Sequence, residues 1–318
     1  MSVSSPTGVD VVGRSRLWFS LSLGILLVGI ASVIVSWTQL GQPLRLGLDF
    51  AGGTLLEVTF EQPAGAEAIR TALQPIGSSV VQLDTGQPRA AIIRLPALTE
   101  SERVRAEAIL RQEIGPFERK RVETVGPTVG RMLLGTGLNS LLIAFILIMG
   151  YLGLRFQLDY AVFAIVALLH DVFLTTGIFS LLGLVAGVEI DSLFIVALLT
   201  IIGFSVNDTV VIYDRIRENL RLRSRKTTFA DIVNLSLNQT FARSINTTLT
   251  TMLPLVAIFI FGGSSLKIFA LTLLVGFAIG SYSSICIAGP LLVWWRNRPS
   301  AALAPETPEA PESVESEV

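Results

Sequence analysis

Residues 192–213 read SLFIVALLTIIGFSVNDTVVIY, a nearly unbroken apolar run in which Asp208 is the single charged residue. A helix needs about 20 apolar residues to cross the hydrocarbon core of a bilayer, and this run is long enough. A carboxylate within such a run is costly to hold in the membrane, so its presence indicates a function. The run therefore predicts a membrane-spanning helix that carries a functional acid.

Other runs of similar composition lie along the chain, at residues 17–37, 132–154, 160–188, 244–261 and 268–295. Of the 318 residues, 51% are hydrophobic and only 15% are charged, and the mean hydropathy is +0.64. Soluble domains carry roughly a quarter charged residues, so this shortage of charge indicates that lipid is part of the solvent. The predicted fold class is a polytopic α-helical membrane protein with a six-helix bundle.

Composition also excludes several classes of function. A net charge of -1 gives no reason to expect nucleic acid as a partner. The single cysteine, Cys286, excludes an internal disulfide framework and a cysteine-based zinc site, and the single histidine, His170, excludes a multi-histidine metal site. No Ser/His/Asp set or phosphate-binding loop stands out. We therefore expect no enzyme activity, no metal and no bound cofactor.

Basic residues in the short loops predict the orientation of the bundle, because such residues stay on the cytoplasmic side. All the basic clusters share one face if both termini are cytoplasmic; they lie at Arg14 and Arg16, at Arg155, within 215–226, and at Arg296 and Arg298. The predicted organisation begins with a cytoplasmic N-terminus at 1–16, a first helix at 17–37 and an external domain at 38–131. Helices two to six follow within 132–298, with a basic cytoplasmic loop at 214–243, and a tail occupies 299–318. The tail is rich in Pro, Ala and Glu, which predicts a disordered acidic segment.

The external segment has the pattern of a folded α+β domain. Strand-forming runs occur at 54–60, 79–83, 90–95 and 119–125, with a turn at 84–86 between the second and third. Helical spacing covers 64–75, and Thr99 with Glu102 forms a capping box that opens a second helix ending at Gly115. The order β-α-β-β-α-β predicts a ferredoxin-like domain.

Four ionisable residues within or at the ends of the spans are the candidate functional residues: Asp208, Arg243, His170 and Asp171. Asp208 and Arg243 approach the membrane from the same side, so we expect them to form a buried ion pair. Protonation of the aspartate would break such a pair, which is the physical basis of a proton-driven transporter. Structural alternatives remain open: Arg243 snorkelling to the headgroups, Asp208 as a helix-to-helix hydrogen bond, and His170 with Asp171 as a packing pair.

Several short motifs together resemble one known family. These are DFAGG at Asp49, Phe50, Ala51, Gly52 and Gly53; VGP at Val125, Gly126 and Pro127; His170-Asp171; GFSVNDT at 203–209, with Asn207 and Asp208; YDRIREN at 213–219, with Asp214 and Arg215; NQT at 238–240; and RSINT at 243–247. In order and topology they resemble the SecF family, accessory subunits of the bacterial protein-export machinery. The DFxGG motif alone is shared with the sister subunit SecD.

The resemblance implies a bundle of the resistance-nodulation-division type that pairs with SecD. It further implies association with the SecYEG channel, with translocating precursor polypeptides and with membrane lipid, and names YajC and YidC as further candidates. The proton is the implied coupling ion, and the family's functional charges fall on Asp208 and Arg243. The implied location is the bacterial inner membrane, with a thylakoid membrane as the alternative.

Two other functions share these sequence features. A half-size efflux transporter of the same superfamily would also carry carboxylates in its spans, although the external domain here is small and has mixed charges. A passive assembly scaffold would need the helices and no proton transfer. The residues alone leave both readings open.

The orientation can be tested by reporter fusions. Fusions at Leu98 should report the outer compartment, and fusions at Ser224 or Ser300 should report the cytoplasm, because the basic loops fix the inner face. A cytoplasmic signal at Leu98 would overturn the predicted orientation.

Overall fold

A computed structural model of the chain describes residues 8–83, 88–223 and 227–297. The predicted turn at 84–86 and the predicted tail at 299–318 lie outside these ranges. Within them, long apolar helices form the spans: α1 (Ser15–Leu40), α5 (Pro127–Arg155), α6 (Leu158–Ala186), α7 (Ser192–Arg221) and α8 (Phe229–Phe261). The last span comprises α9 (Ser264–Ser283), a π-helical turn at Ser284–Ala288 and α10 (Gly289–Arg296). The six predicted spans are therefore confirmed among the described residues.

Several helices extend beyond the apolar runs that predicted them. The basic segment 214–243 is mostly helical and in two pieces, as its sequence predicts: α7 continues to Arg221 and α8 already begins at Phe229. Thr228 caps α8, because its hydroxyl accepts a hydrogen bond from the backbone N–H of Asp231, whose carboxylate binds Thr228 in return. Hydropathy marks where a helix meets lipid, whereas its hydrogen bonds continue through polar residues until a cap ends them.

Between α1 and α5 lies the α+β domain. A short helix, α2 (Leu48–Ala51), precedes β1 (Gly53–Phe60), α3 (Ala66–Leu73), β2 (Val80–Leu83), β3 (Ala90–Leu95), α4 (Glu100–Glu113) and β4 (Phe117–Val125). The strands pair in the order β2-β3-β1-β4, and every pair is antiparallel. This order confirms the predicted ferredoxin-like arrangement, and the predicted capping box is present at the start of α4.

The domain has its own apolar core. Alternate residues of β1 and β3, including Leu56, Val58 and Ile93, point to one face of the sheet, where they meet Ile69 of α3 and Leu110 of α4. Leu56 and Ile93 are fully buried. Burial of this face against two helices explains why the sequence shows period-2 alternation in the strands.

Close helix contact in the bundle depends on small residues. Gly29 of α1 and Gly177 of α6 meet so closely that a Cβ on Gly177 would lie 2.7 Å from the Gly29 Cα. Ser32 donates a hydrogen bond to the Gly177 carbonyl at 3.1 Å. Such contacts replace the hydrophobic driving force that is missing between helices in lipid.

The packing of the α+β domain yields a stability prediction. In an isolated fragment of residues 44–125, Leu56→Ala should lower the free energy of unfolding by about 3 kcal/mol, because it leaves a cavity in a fully buried site. Val104→Ala on α4 is the matched control, since that side chain is 55% exposed. Denaturant unfolding of both variants measures the difference, and equal losses would contradict the assigned core.

Candidate functional site

Asp171 is a completely buried carboxylate at the junction of three helices. Its Oδ2 accepts hydrogen bonds from Ser205 Oγ of α7 at 2.6 Å and from Ser283 Oγ of α9 at 2.8 Å. Its Oδ1 lies 3.0 Å from Nδ1 of His170 on the same helix, α6. Both oxygens therefore have partners, and the carboxylate joins α6 to α7 and to the last span.

Asp208 has a different environment. It lies one turn beyond Ser205 on α7 and is 5% exposed. Its Oδ1 accepts a hydrogen bond from Ser244 Oγ of α8 at 2.9 Å, whereas its buried Oδ2 accepts none from the described residues. A buried polar atom without a partner is costly, so the two oxygens of this carboxyl group are held unequally.

Further hydroxyl groups extend the polar path between α7 and the last span. Thr209 Oγ1 and Ser284 Oγ share a hydrogen bond of 2.9 Å, and Ser284 Oγ also donates to the Ser205 carbonyl at 3.3 Å. Ser284 begins the π-helical turn, which is a local departure from α-helical geometry that frequently occurs at functional sites. Buried hydroxyls thus connect the surroundings of both carboxylates.

Arg243 is not paired with Asp208 in the single chain, which corrects the predicted buried ion pair. No ion pair between described side chains joins these two residues, and Arg243 is exposed. The reason is helical geometry: adjacent residues of a helix point about 100° apart, as follows from 3.6 residues per turn. Because Ser244 of α8 faces Asp208, its neighbour Arg243 is turned to the outside of this bundle.

The stretch after Asp208 joins α7 to α5 and α8 at the end of α7 that lies away from the α+β domain. Asp214 binds the guanidinium of Arg155 at 3.0 Å through both oxygens, and Arg217 lies 4.0 Å away. Arg215 donates from Nε to Gln239 Oε1 at 2.6 Å. Side-chain contacts therefore hold α5, α7 and α8 together at this end of α7. Asn207, by contrast, lies on the exposed face of α7.

The DFAGG motif lies at the opposite end of α7. Asp49 Oδ2 accepts hydrogen bonds from the backbone N–H of Ser192 at 3.0 Å and from its hydroxyl. Asp191 caps the same helix, and burial together with the Asp49 charge raises the pKa of Asp191. Phe50 packs in the apolar core of the outer half of the bundle.

The glycines of the two outer motifs permit close backbone approach. Gly52 and Gly53 have φ values of +73° and +125°, and a Cβ on Gly53 would lie 2.7 Å from the Leu95 carbonyl oxygen. Gly126 is the N-cap of α5 and Pro127 its first residue, where a missing N–H costs nothing. The motifs thus fix the entry and exit of the α+β domain.

The serines that hold the carboxylates are the functional residues that sequence reasoning missed. Ser205 and Ser283 stand out in the sequence as small residues suited to tight packing, and Ser244 stands beside Arg243. Each of these serines contacts a carboxylate on a different helix, so no spacing along the chain signals the contact. No cluster of three metal-binding side chains occurs among the described residues.

Comparison with known proteins decides the family. Residues 106–298 match the family described as protein export membrane protein SecD/SecF, C-terminal, and residues 39–64 match the SecD/SecF GG motif. A protein translocase subunit SecF from Synechocystis is 48% identical over 88% of this chain and 91% of its own length. The chain belongs to the SecF family. A SecF from Thermobaculum terrenum is 40% identical over 91% of the chain and 95% of its own length.

Solved SecDF structures have the same fold. SecDF from Thermus thermophilus, described as a translocon-associated membrane protein, matches 94% of the chain at 34% identity with a TM-score of 0.79. SecDF in a super-membrane-facing form matches 95% at 35% identity with a TM-score of 0.66. The SecF-family chain spans 40% of the length of each of these structures.

The contacts of Asp171 predict the effect of losing one donor. Ser205→Ala should lower stability by about 1–3 kcal/mol, because a buried carboxylate oxygen keeps one partner instead of two. Ser140→Ala is the control, since that exposed hydroxyl bonds only within its own helix. Thermal unfolding of both variants in detergent measures the loss, and an unchanged Ser205→Ala would contradict the assigned contact.

Proposed function

We propose that this SecF-family chain uses the proton gradient, together with SecD, to promote the export of polypeptides through SecYEG at a late, outer-side stage. The observation that carries the proposal is the environment of Asp208. Its carboxyl group is buried between α7 and α8, and one of its oxygens lacks a partner among the described residues. Such a group changes its interactions when it gains or loses a proton.

The two buried carboxylates have different roles in this proposal. Asp171 already has donors on both oxygens, so it suits the task of holding α6, α7 and α9 in place. Among the described side chains, Ser244 alone forms a hydrogen bond from α8 to Asp208, so protonation of Asp208 changes the balance between α7 and α8. His170 lies beside Asp171 and serves as a secondary candidate in the proton path.

The exposed position of Arg243 supports a partner bundle. The apolar 18-residue stretch of α5 has no residue buried within the chain, and 17% of the corresponding stretch of α8 is buried. Arg243 therefore projects from a helix whose outer surface the chain itself leaves uncovered. Because the chain spans 40% of the SecDF structures that it matches, we assign this face to SecD, with membrane lipid around the remainder.

The location follows from the charge distribution and the family. We place the chain in the bacterial inner membrane with both termini in the cytoplasm and the α+β domain outside. There the domain is positioned to contact a precursor polypeptide as it leaves the channel. In this proposal the proton moves inward through the membrane helices, and the outer domain contacts the exported polypeptide.

The proposal predicts a specific defect for Asp208→Asn. Asparagine has nearly the same shape and preserves packing, but it cannot alternate between charged and neutral forms. Export of a secreted reporter in membrane vesicles should fall to the level seen without a proton gradient, while membrane insertion is normal.

Arg243→Lys should also reduce the gradient response, since an ammonium lacks the planar donor fork. His170→Ala should cause a smaller loss.

Asp10→Asn is the matched control, because Asp10 is exposed and an asparagine oxygen can still accept its hydrogen bond from Gly13. It should respond to the gradient like the wild type. If Asp208→Asn vesicles also respond like the wild type, the proton-coupled function is wrong and a passive scaffold is the better account.

A further inference from the structure

The short turn between α6 and α7 connects the membrane helices of the proposed proton site. It joins the two helices that carry the buried carboxylates, Asp171 and Asp208. At 1.5 Å per residue, Asp208 lies about 27 Å along the chain from Ile190 in this turn. A displacement of either helix therefore reaches the turn directly.

The turn is bound to the segment that leads into the α+β domain. Ile190 donates its N–H to the Arg45 carbonyl at 2.9 Å, and its own carbonyl accepts from the Gly47 N–H at 2.7 Å. Leu46 and Ile190 thereby form a parallel bridge. Asp49 then caps the start of α7 through Ser192. The backbone of the linker and that of the turn thus move together.

Glu189 adds a contact from the turn to the sheet itself. Its carboxylate is 10% exposed and lies 3.5 Å from Nε of Arg45, and its other oxygen contacts Nη1 of Arg94. Arg94 belongs to β3, which is an interior strand of the sheet. Among the ion pairs between described residues, the pair of Glu189 and Arg94 is the one that joins the sheet to the turn of the bundle.

The charges make this contact conditional on Glu189. Burial, and then the neighbouring Arg45, lower the pKa of Arg94 to about 10, and the guanidinium remains charged at neutral pH. Without the carboxylate, two arginines would face each other in a partly buried site. Removing one member of a buried ion pair leaves an uncompensated charge, which favours separation of the groups.

We propose that Glu189 is a positioning residue that couples the helices carrying Asp171 and Asp208 to the α+β domain, by holding Arg94 of the sheet against the α6–α7 turn. This inference rests on the proposed function. Movement of α7 when Asp208 changes its protonation state is transmitted through the turn to β3. The outer domain then moves with the helices instead of independently of them.

The test compares Glu189→Gln with Glu107→Gln in the full chain with its partner subunit. Glu107 is a matched control, because its side chain is 14% exposed and is likewise held by two arginines, Arg103 and Arg119, but all three lie within the domain. Glu189→Gln should lose most of the gradient-stimulated export, whereas gradient-independent export is unchanged. Glu107→Gln should retain both.

A charge exchange separates coupling from folding. Glu189→Arg combined with Arg94→Glu keeps one carboxylate and two arginines at the site, so it should restore a substantial part of the gradient response. If neither the exchange nor the single variant differs from Glu107→Gln, the coupling role is overturned. If Glu189→Gln fails to accumulate in membranes, Arg94→Gln takes its place as the single variant, because it removes the other member of the same ion pair; a gradient response equal to that of Glu107→Gln overturns the inference.

Hydrogen exchange gives a readout that is independent of export. Asp208→Asn should change the exchange rates of β3 amides, and this change should disappear in the Glu189→Gln background. An equal change in both backgrounds would overturn the coupling even if export is proton-driven. Conversely, a wild type that ignores the gradient refutes the proposed function, while transmission from Asp208 to β3 can still be observed.

Discussion

The constraint on which the structure depends is the cost of holding carboxylates inside a membrane bundle. The hydrogen bonds that meet it come mainly from hydroxyl groups, and no ion pair between described side chains joins Arg243 to Asp208. Asp171 receives Ser205, Ser283 and His170, so it acts as a junction of three helices. Asp208 receives Ser244 and has an oxygen that no described residue satisfies. In the proposed function, this asymmetry gives Asp171 a fixed role and Asp208 a changing one, because Asp208 has fewer hydrogen-bond partners to hold it in one protonation state.

Helix α7 carries that dependence to both sides of the membrane. Its N-terminal end is capped by Asp191 and Asp49, and its C-terminal part is held by the contacts of Asp214 and Arg215 with α5 and α8. The helix therefore behaves as a continuous element whose ends contact different parts of the protein. Under the proposed function, a change at Asp208 would act on the contacts at both ends of α7 together.

Sequence patterns predicted the elements well and the contacts less well. Apolar runs located the spans, and alternation with a capping box located the α+β domain, because these signals depend on residues close together in the chain. The predicted ion pair of Asp208 with Arg243 was wrong. The rotation of α8 about its axis decides which of two adjacent residues faces α7, and the sequence pattern does not give that rotation. Glu189 could not be paired with Arg45 and Arg94 beforehand, because those arginines lie far away in the sequence and meet it only in the folded chain.

The central claim is that the Asp208 carboxyl gains and loses a proton during the working cycle. Infrared difference spectroscopy of the chain in membranes with SecD, recorded across a pH change, measures this most directly. The account predicts a carboxyl C=O band that changes with pH in the wild type and is absent from Asp208→Asn. A spectrum without such a band, or one in which the band persists in Asp208→Asn, would contradict it.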